Sequence, residues 1–240
     1  MNFRLQRHAL PEAEVKRVFA LQAEAAVKSI KADPLAAHAF RKRAKKLRAL
    51  LRLLPEESRP QEVDALIKAA AKSLSALRDR QVIEKLTGTG ESGAKRKGGA
   101  PGKAAAKAAA QMRKAAKKFA GAYLGGIDEK ALLGEYERTR AKVGAALENA
   151  GTSGTDDDFH RLRRWVKYHW YHVRLLQDHL GSGIKRRRRK LCQLGKALGN
   201  THDLAILEGK LAPGSKQRTK AAEKKARLMG RCLKQARKLA

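Results

Sequence analysis

Residues 160–176, HRLRRWVKYHWYHVRLL, are written twice in this chain: residues 38–54, HAFRKRAKKLRALLRLL, repeat their pattern at a constant offset of 122. His38 answers to His160, Arg41 to Arg163, Lys42 to Arg164, Lys45 to Lys167 and Arg52 to Arg174, and both copies close on Leu-Leu. At the α-helical advance of about 100° per residue, His160, Arg163, Arg164, Lys167, Tyr171 and Arg174 share one face, while Leu162, Val166, Val173 and Leu176 share the opposite one. The first copy sorts the same way, with His38, Arg41, Lys42, Lys45, Arg48 and Arg52 against Phe40, Ala44, Leu47, Leu51 and Leu54. Both stretches read as helices that bury an apolar stripe and hold a row of cations on the other side.

A second signature repeats as well. K-x-L-S-x-x-x-D at 72–79 matches K-x-L-G-x-x-x-D at 196–203, at an offset of 124. Each half thus carries a His-started basic helix and, about forty residues further on, an aspartate, Asp79 or Asp203, on a helix that ends in apolar residues.

Working outward, Ala, Leu, Lys, Arg and Glu dominate and alternating β-branched stretches are missing, so the fold class is all-α. Pro11 opens a first helix over 11–31, and Asp33-Pro34 starts the second, which carries the first basic row and stops near Pro55. A third helix follows Pro60 and runs to about 86, then 87–102 is Gly-rich and charged and reads as a flexible loop. The Ala/Lys-rich fourth helix, 103–124, is closed by Gly125-Gly126, and a fifth spans 128–149. Residues 151–156 break and recap the chain before the sixth helix, which carries the second row. A seventh starts near Ile184 and an eighth covers 215–240 after Pro213-Gly214. Eight helices fall as four plus four, 1–126 and 127–240.

Lys plus Arg is 55 against 23 for Asp plus Glu, a formal net charge of +32 that points to a polyanionic partner rather than a neutral metabolite. Nucleic acid, an acidic membrane surface and polyphosphate all meet that requirement. Cys192 and Cys232 lack CxxC spacing, which argues against a disulfide scaffold or a zinc finger and fits a reducing cytoplasm. No apolar run reaches the length of a membrane span, and the first residues, MNFRLQRHALPEAEV, lack a secretory core, so no membrane association is expected.

With HAFRKRAKKLRALLRLL and LSALRDRQV in one half, and FHRLRRWVKYHWYHVRLL and LGKALGNTHDLAIL in the other, the chain resembles the CHAD family, the conserved-histidine α-helical domains. The resemblance runs from about Pro11 to the last helix. It implies two four-helix bundles related by a pseudo-twofold, a basic groove or cavity that binds inorganic polyphosphate, and no catalysis. Three positions depart from the duplicated pattern: Ser75 replaces the glycine of LG, His202 stands in the place of Arg78, and Trp170 in that of Arg48.

Polyphosphate offers a charge on every unit and no unique handle, so repeated cations suit it better than one tight pocket. The expected contacts are His38, Arg41, Lys42, Lys45, Arg48, Arg52 and Lys72 in the first half. In the second they are His160, Arg163, Arg164, Lys167, Tyr171, Arg174, Arg187 of the KRRRRK run, and Lys196. His38 and His160 begin their rows near helix N-termini, where backbone amides attract anions. His169 and His172 point to the apolar side and read as core histidines rather than metal ligands. Trp165 reads as core, and Trp170 as a neighbour of the basic face. Asp79 and Asp203 are expected to orient basic side chains, because the first repeat keeps the aspartate without a preceding histidine.

No metal, other cofactor or catalytic residue is expected. Two other readings stand beside this one. The charge and the Ala/Lys-rich stretch 103–118 suit a non-specific nucleic-acid binder. His202-Asp203 would serve a metal-dependent phosphohydrolase. Cytoplasmic residence is expected, with polyphosphate granules as one place for the protein; chain-length preference, partners and oligomeric state are not legible.

Overall fold

The computed structural model describes residues 3–32, 36–75 and 102–239, and among these it contains eight helices and no strand. They are α1 (Pro11–Ala32), α2 (Ala37–Leu51), α3 (Gln61–Lys72), α4 (Lys103–Ala120), α5 (Glu129–Ser153), α6 (Asp156–Leu175), α7 (Ile184–Glu208) and α8 (Lys216–Arg237). The Asp33-Pro34 start expected for α2, the continuation of α3 beyond Ser75 and all of the expected loop but Gly102 lie outside the described residues. None of the described helices is long and apolar enough to cross a membrane.

The chain divides into two compact units, Met1–Glu135 and Tyr136–Ala240, so the division falls inside α5 while the glycine pair that breaks the chain is Gly125-Gly126. In the first unit α1 packs on α2 and α4, and α3 packs on the same two helices, which closes a four-helix bundle. Its centre is built from Val15, Phe19, Phe40, Leu47, Ile67 and Met112, with the Phe19 and Phe119 rings stacked 4.0 Å apart. In the second unit α6 packs on α7 and α7 on α8. Tyr136 at the start of this unit stacks on His169 of α6, ring centroids 5.1 Å apart.

Helix ends are fixed by chemistry that the sequence carries. Thr155 caps α6, its hydroxyl accepting the Asp158 amide at 3.2 Å, and Asp156, Asp157 and Asp158 in the first turn complement the helix dipole. At the far end of α2, Arg59 donates to the carbonyls of Leu51 (3.0 Å) and Leu54 (2.8 Å), satisfying acceptors the helix leaves open.

Both basic helices change character along their length. Their first turns are amphipathic, but α2 buries Leu47, Ala49, Leu50 and Leu51 and continues into buried Leu53 and Leu54. In α6, Tyr168, His169, Tyr171, His172, Val173 and Leu175 are buried, and Trp170 and Arg174 among them are half-buried. The C-terminal turns are thus embedded, and the N-terminal turns stand out from them. Leu47→Ala and Leu162→Ala, at positions 0% exposed, are each expected to lower unfolding free energy by about 2–5 kcal/mol in urea titrations. Arg164→Ala, on the exposed side of the same turn as Leu162, is expected to change it by less than about 0.5 kcal/mol.

Candidate basic sites on the duplicated helices

In the first unit His38, Lys42 and Lys45 are exposed on α2, and Lys72 is exposed at the end of α3. Arg41 between them reaches across to α3. Its Nη1 donates to the Ala71 carbonyl and to Ser75 Oγ, both at 2.8 Å. The serine that stands where the repeat has glycine therefore supplies an acceptor for this guanidinium. Arg48 forms a two-pronged pair with Asp64, Nε to Oδ1 at 2.7 Å and Nη2 to Oδ2 at 3.2 Å, and Arg52 lies 3.8 Å from the same carboxylate. One aspartate on α3 thus draws the last two cations of the row toward the bundle.

In the second unit His160, Arg164 and Lys196 are exposed, while Arg163 and Lys167 are half-buried where α6 crosses α7. Gly195 and Gly199 of α7 lie at that crossing. A Cβ on Gly195 would come within 3.2 Å of Lys167 Cε and Nζ, and one on Gly199 within 3.8 Å of Arg163 Nε. The two glycines, one turn apart, form a shallow seat for the stems of two cations of the row.

Trp170 of α6 lies against two cations of the row. Lys167 Nζ and the Arg174 guanidinium carbon each lie 5.1 Å from the centre of its indole. Burial lowers the Arg174 pKa below the ordinary guanidinium value, consistent with a cation drawn in against an aromatic face. Trp170 occupies the position of Arg48, so the two halves steady their rows differently, by a carboxylate in one and an aromatic ring in the other.

The expected contacts divide accordingly. Tyr171 is a correction: at 3% exposure it lies inside the protein, and burial pushes its phenol up to about 12. The helical wheel places it among the cations, but that turn of α6 is packed all round. His160 is the fifth residue of α6, behind a first turn that carries three aspartates and whose Asp158 amide donates to the Thr155 hydroxyl. His38 differs, because α2 has no side-chain cap and no acidic residue in its first turn.

Arg187 is half-buried and donates to the Tyr136 hydroxyl at 3.3 Å, while Lys185, Arg186, Arg188 and Arg189 of the same run are exposed. Asp203 is half-buried, and the preceding His202 ring lies 4.9 Å from that of His160. Asp79 lies outside the described residues. His169 and His172 are buried at 3% and 0%. Trp165, read as core, is half-buried, with Lys142 Nζ 5.0 Å from its ring centre. Asp64 and Gly195 went unread in the sequence, where Gly199 entered only as the glycine of the repeated L-G-x-x-x-D signature.

A family model described as the CHAD domain matches residues 16–138 and 126–212. No curated protein and no solved structure matches the chain.

His169 sits behind the second row, and burial, helped by the neighbouring His172 and Arg187, pushes its pKa down from 6.5 to about 3. Between those values the unfolded chain binds a proton that the folded chain excludes. Stability therefore rises with pH across the window and is lost as pH falls through it, by at most about 1.4 kcal/mol per unit. His169→Phe, which keeps a ring against Tyr136, is expected to flatten the dependence of melting temperature on pH between about 6 and 4 relative to the parent. Equal slopes would remove His169 as the cause.

Proposed function

The chain belongs to the CHAD family, and on that premise we propose that it binds inorganic polyphosphate through the N-terminal turns of α2 and α6 and does not turn it over. The observation that carries this reading is the split in each row. Lys42 and Lys45 of α2 and Arg164 of α6 stand exposed at helical spacing, while the embedded turns behind them keep each helix rigid. A polyanion meets prearranged cations, so less side-chain freedom is lost on binding. Lys72, Lys196, Arg163 and Lys167 border the same turns, and Arg48, Arg52 and Arg174 act by holding the row's inner end.

The family's link to polyphosphate supports the ligand, since internal phosphates are identical and a repeated row suits them. A binding-only role is supported by what surrounds the candidate acids. Among the described residues no three His, Cys, Asp or Glu side chains gather as a metal-binding group. His202 and Asp203 would have to work without such a set. Cys232 is buried and its thiol is pushed up to about 11, which keeps it protonated and a poor nucleophile. Cytoplasmic residence, including association with polyphosphate granules, belongs to the same reading.

Replacing Arg163, Arg164 and Lys167 together with Gln is expected to weaken long-chain polyphosphate binding by about tenfold or more, taking three charge contacts at about 0.5 kcal/mol each. The melting temperature should stay close to the parent's, since Gln is a good helix former and the apolar stripe is intact. Parent-like affinity in a variant that melts normally would show the row to be only a solvated face. Incubation with polyphosphate and Mg²⁺ or Mn²⁺ should release no phosphate above a blank; release abolished by Asp203→Asn would replace the binding reading with a hydrolytic one.

A further inference from the structure

α8 carries a third row of cations that neither duplicated basic helix accounts for. Lys216, Lys220, Lys224, Arg227, Arg231 and Lys234 are all exposed. At about 100° and about 1.5 Å per residue they fall within a sector of about 80° and extend about 27 Å along the helix. The opposite side of α8 buries Ala221, Cys232 and Ala236 and packs on α7. α7 packs on both α6 and α8, and Lys225, about 140° around α8 from the middle of the row, pairs with Asp156 at the start of α6 and with Glu208 of α7, both at 2.8 Å, so the row lies on the side of α8 turned away from these contacts. Among the described residues, Arg227 alone of the six has an ion-pair partner, Glu223 at 3.1 Å.

The fourth helix of the first unit has a counterpart. At an offset of 113, Lys103, Lys107, Lys114 and Lys118 stand where α8 has Lys216, Lys220, Arg227 and Arg231, and Ala108 is buried like Ala221. That copy is shorter, and Glu62 engages its Lys118 at 2.8 Å. The α8 copy is longer.

We propose that the outward face of α8 is a separate anion site, and that it lies along the phosphate backbone of duplex nucleic acid. The row is straight and rigid. A flexible polyanion would lose conformational freedom in following it, whereas a duplex is already straight over this length, since its persistence length is about 150 base pairs. A helix about 10–12 Å across also matches a major groove about 12 Å wide. An acidic bilayer fits less well. Interfacial helices bury a large apolar face in the membrane, and α8 exposes no large hydrophobic side chain and turns its apolar side to α7.

Neutralising phosphates releases counterions, so the slope of log K against log salt counts the contacts made, about 0.9 per phosphate on a duplex. The full-length protein would be titrated with a fluorescent mixed-sequence DNA duplex at several salt concentrations. Changing Lys220, Lys224, Arg227 and Arg231 together to Gln is expected to reduce the magnitude of that slope by about 3 to 4. The Arg163, Arg164 and Lys167 triple Gln variant should reduce it by less than about 1. Circular dichroism melts of both variants confirm that each is folded; if the α8 variant is destabilised, Lys220→Gln with Lys224→Gln replaces it, with an expected reduction of about 2. A parent-like slope in the folded α8 variant, or an equal or larger loss in the α6 variant, would overturn the assignment.

Discussion

A long basic side chain stays in one place only if something holds its head or its stem, and the two halves of this protein use different partners for that purpose. Asp64 grips Arg48 at 2.7 Å and lies 3.8 Å from Arg52. Trp170 receives Lys167 and Arg174, both 5.1 Å from its ring centre. Each partner lies behind the exposed turn of its basic helix, where the side chains around it are buried. The row in front can then remain positive and solvated while its inner end is fixed. If this hold were lost, like charges one turn apart would repel each other and spread across the surface.

The difference between the partners has an electrostatic consequence. Asp64 lowers the charge of the first row where it grips Arg48, and the Trp170 indole offers its π face to Lys167 and Arg174. Gly195 and Gly199 complete the second arrangement by letting the stems of Lys167 and Arg163 lie against α7. In the first unit the corresponding residues are Ala71 and Ser75, and a hydrogen-bonded guanidinium replaces the close approach. The same duplicated pattern therefore yields two sites of unequal contact chemistry. A chain of identical phosphates tolerates such inequality, since it needs only a sequence of cations.

Much of this was legible in the sequence because helical periodicity reports direction. The all-helical class, the eight helices and the apolar faces of α2 and α6 all follow from spacing and from breaks such as Gly125-Gly126 and Pro213-Gly214. Periodicity does not report depth. Tyr171 shares an angle with His160 and Arg164, yet it is 3% exposed because the second half of α6 is enclosed. Partners distant in the chain were equally hidden: nothing local to Asp64 announces Arg48, and Trp170 beside two cations could as well have been a stacking surface. The run of aspartates at 156–158 marks a helix start, and it displaces His160 from the terminal position that the repeat suggested. The row on α8 passed as a basic helix until burial separated its two sides.

Lysine reactivity reports the central claim most directly, because a bound polyanion shields the side chains it touches. With saturating long-chain polyphosphate, acetylation followed by mass spectrometry should slow several-fold at Lys42, Lys45 and Lys167, while exposed Lys130 on α5 keeps its rate. Unchanged rates at Lys42, Lys45 and Lys167 under saturation would contradict the account.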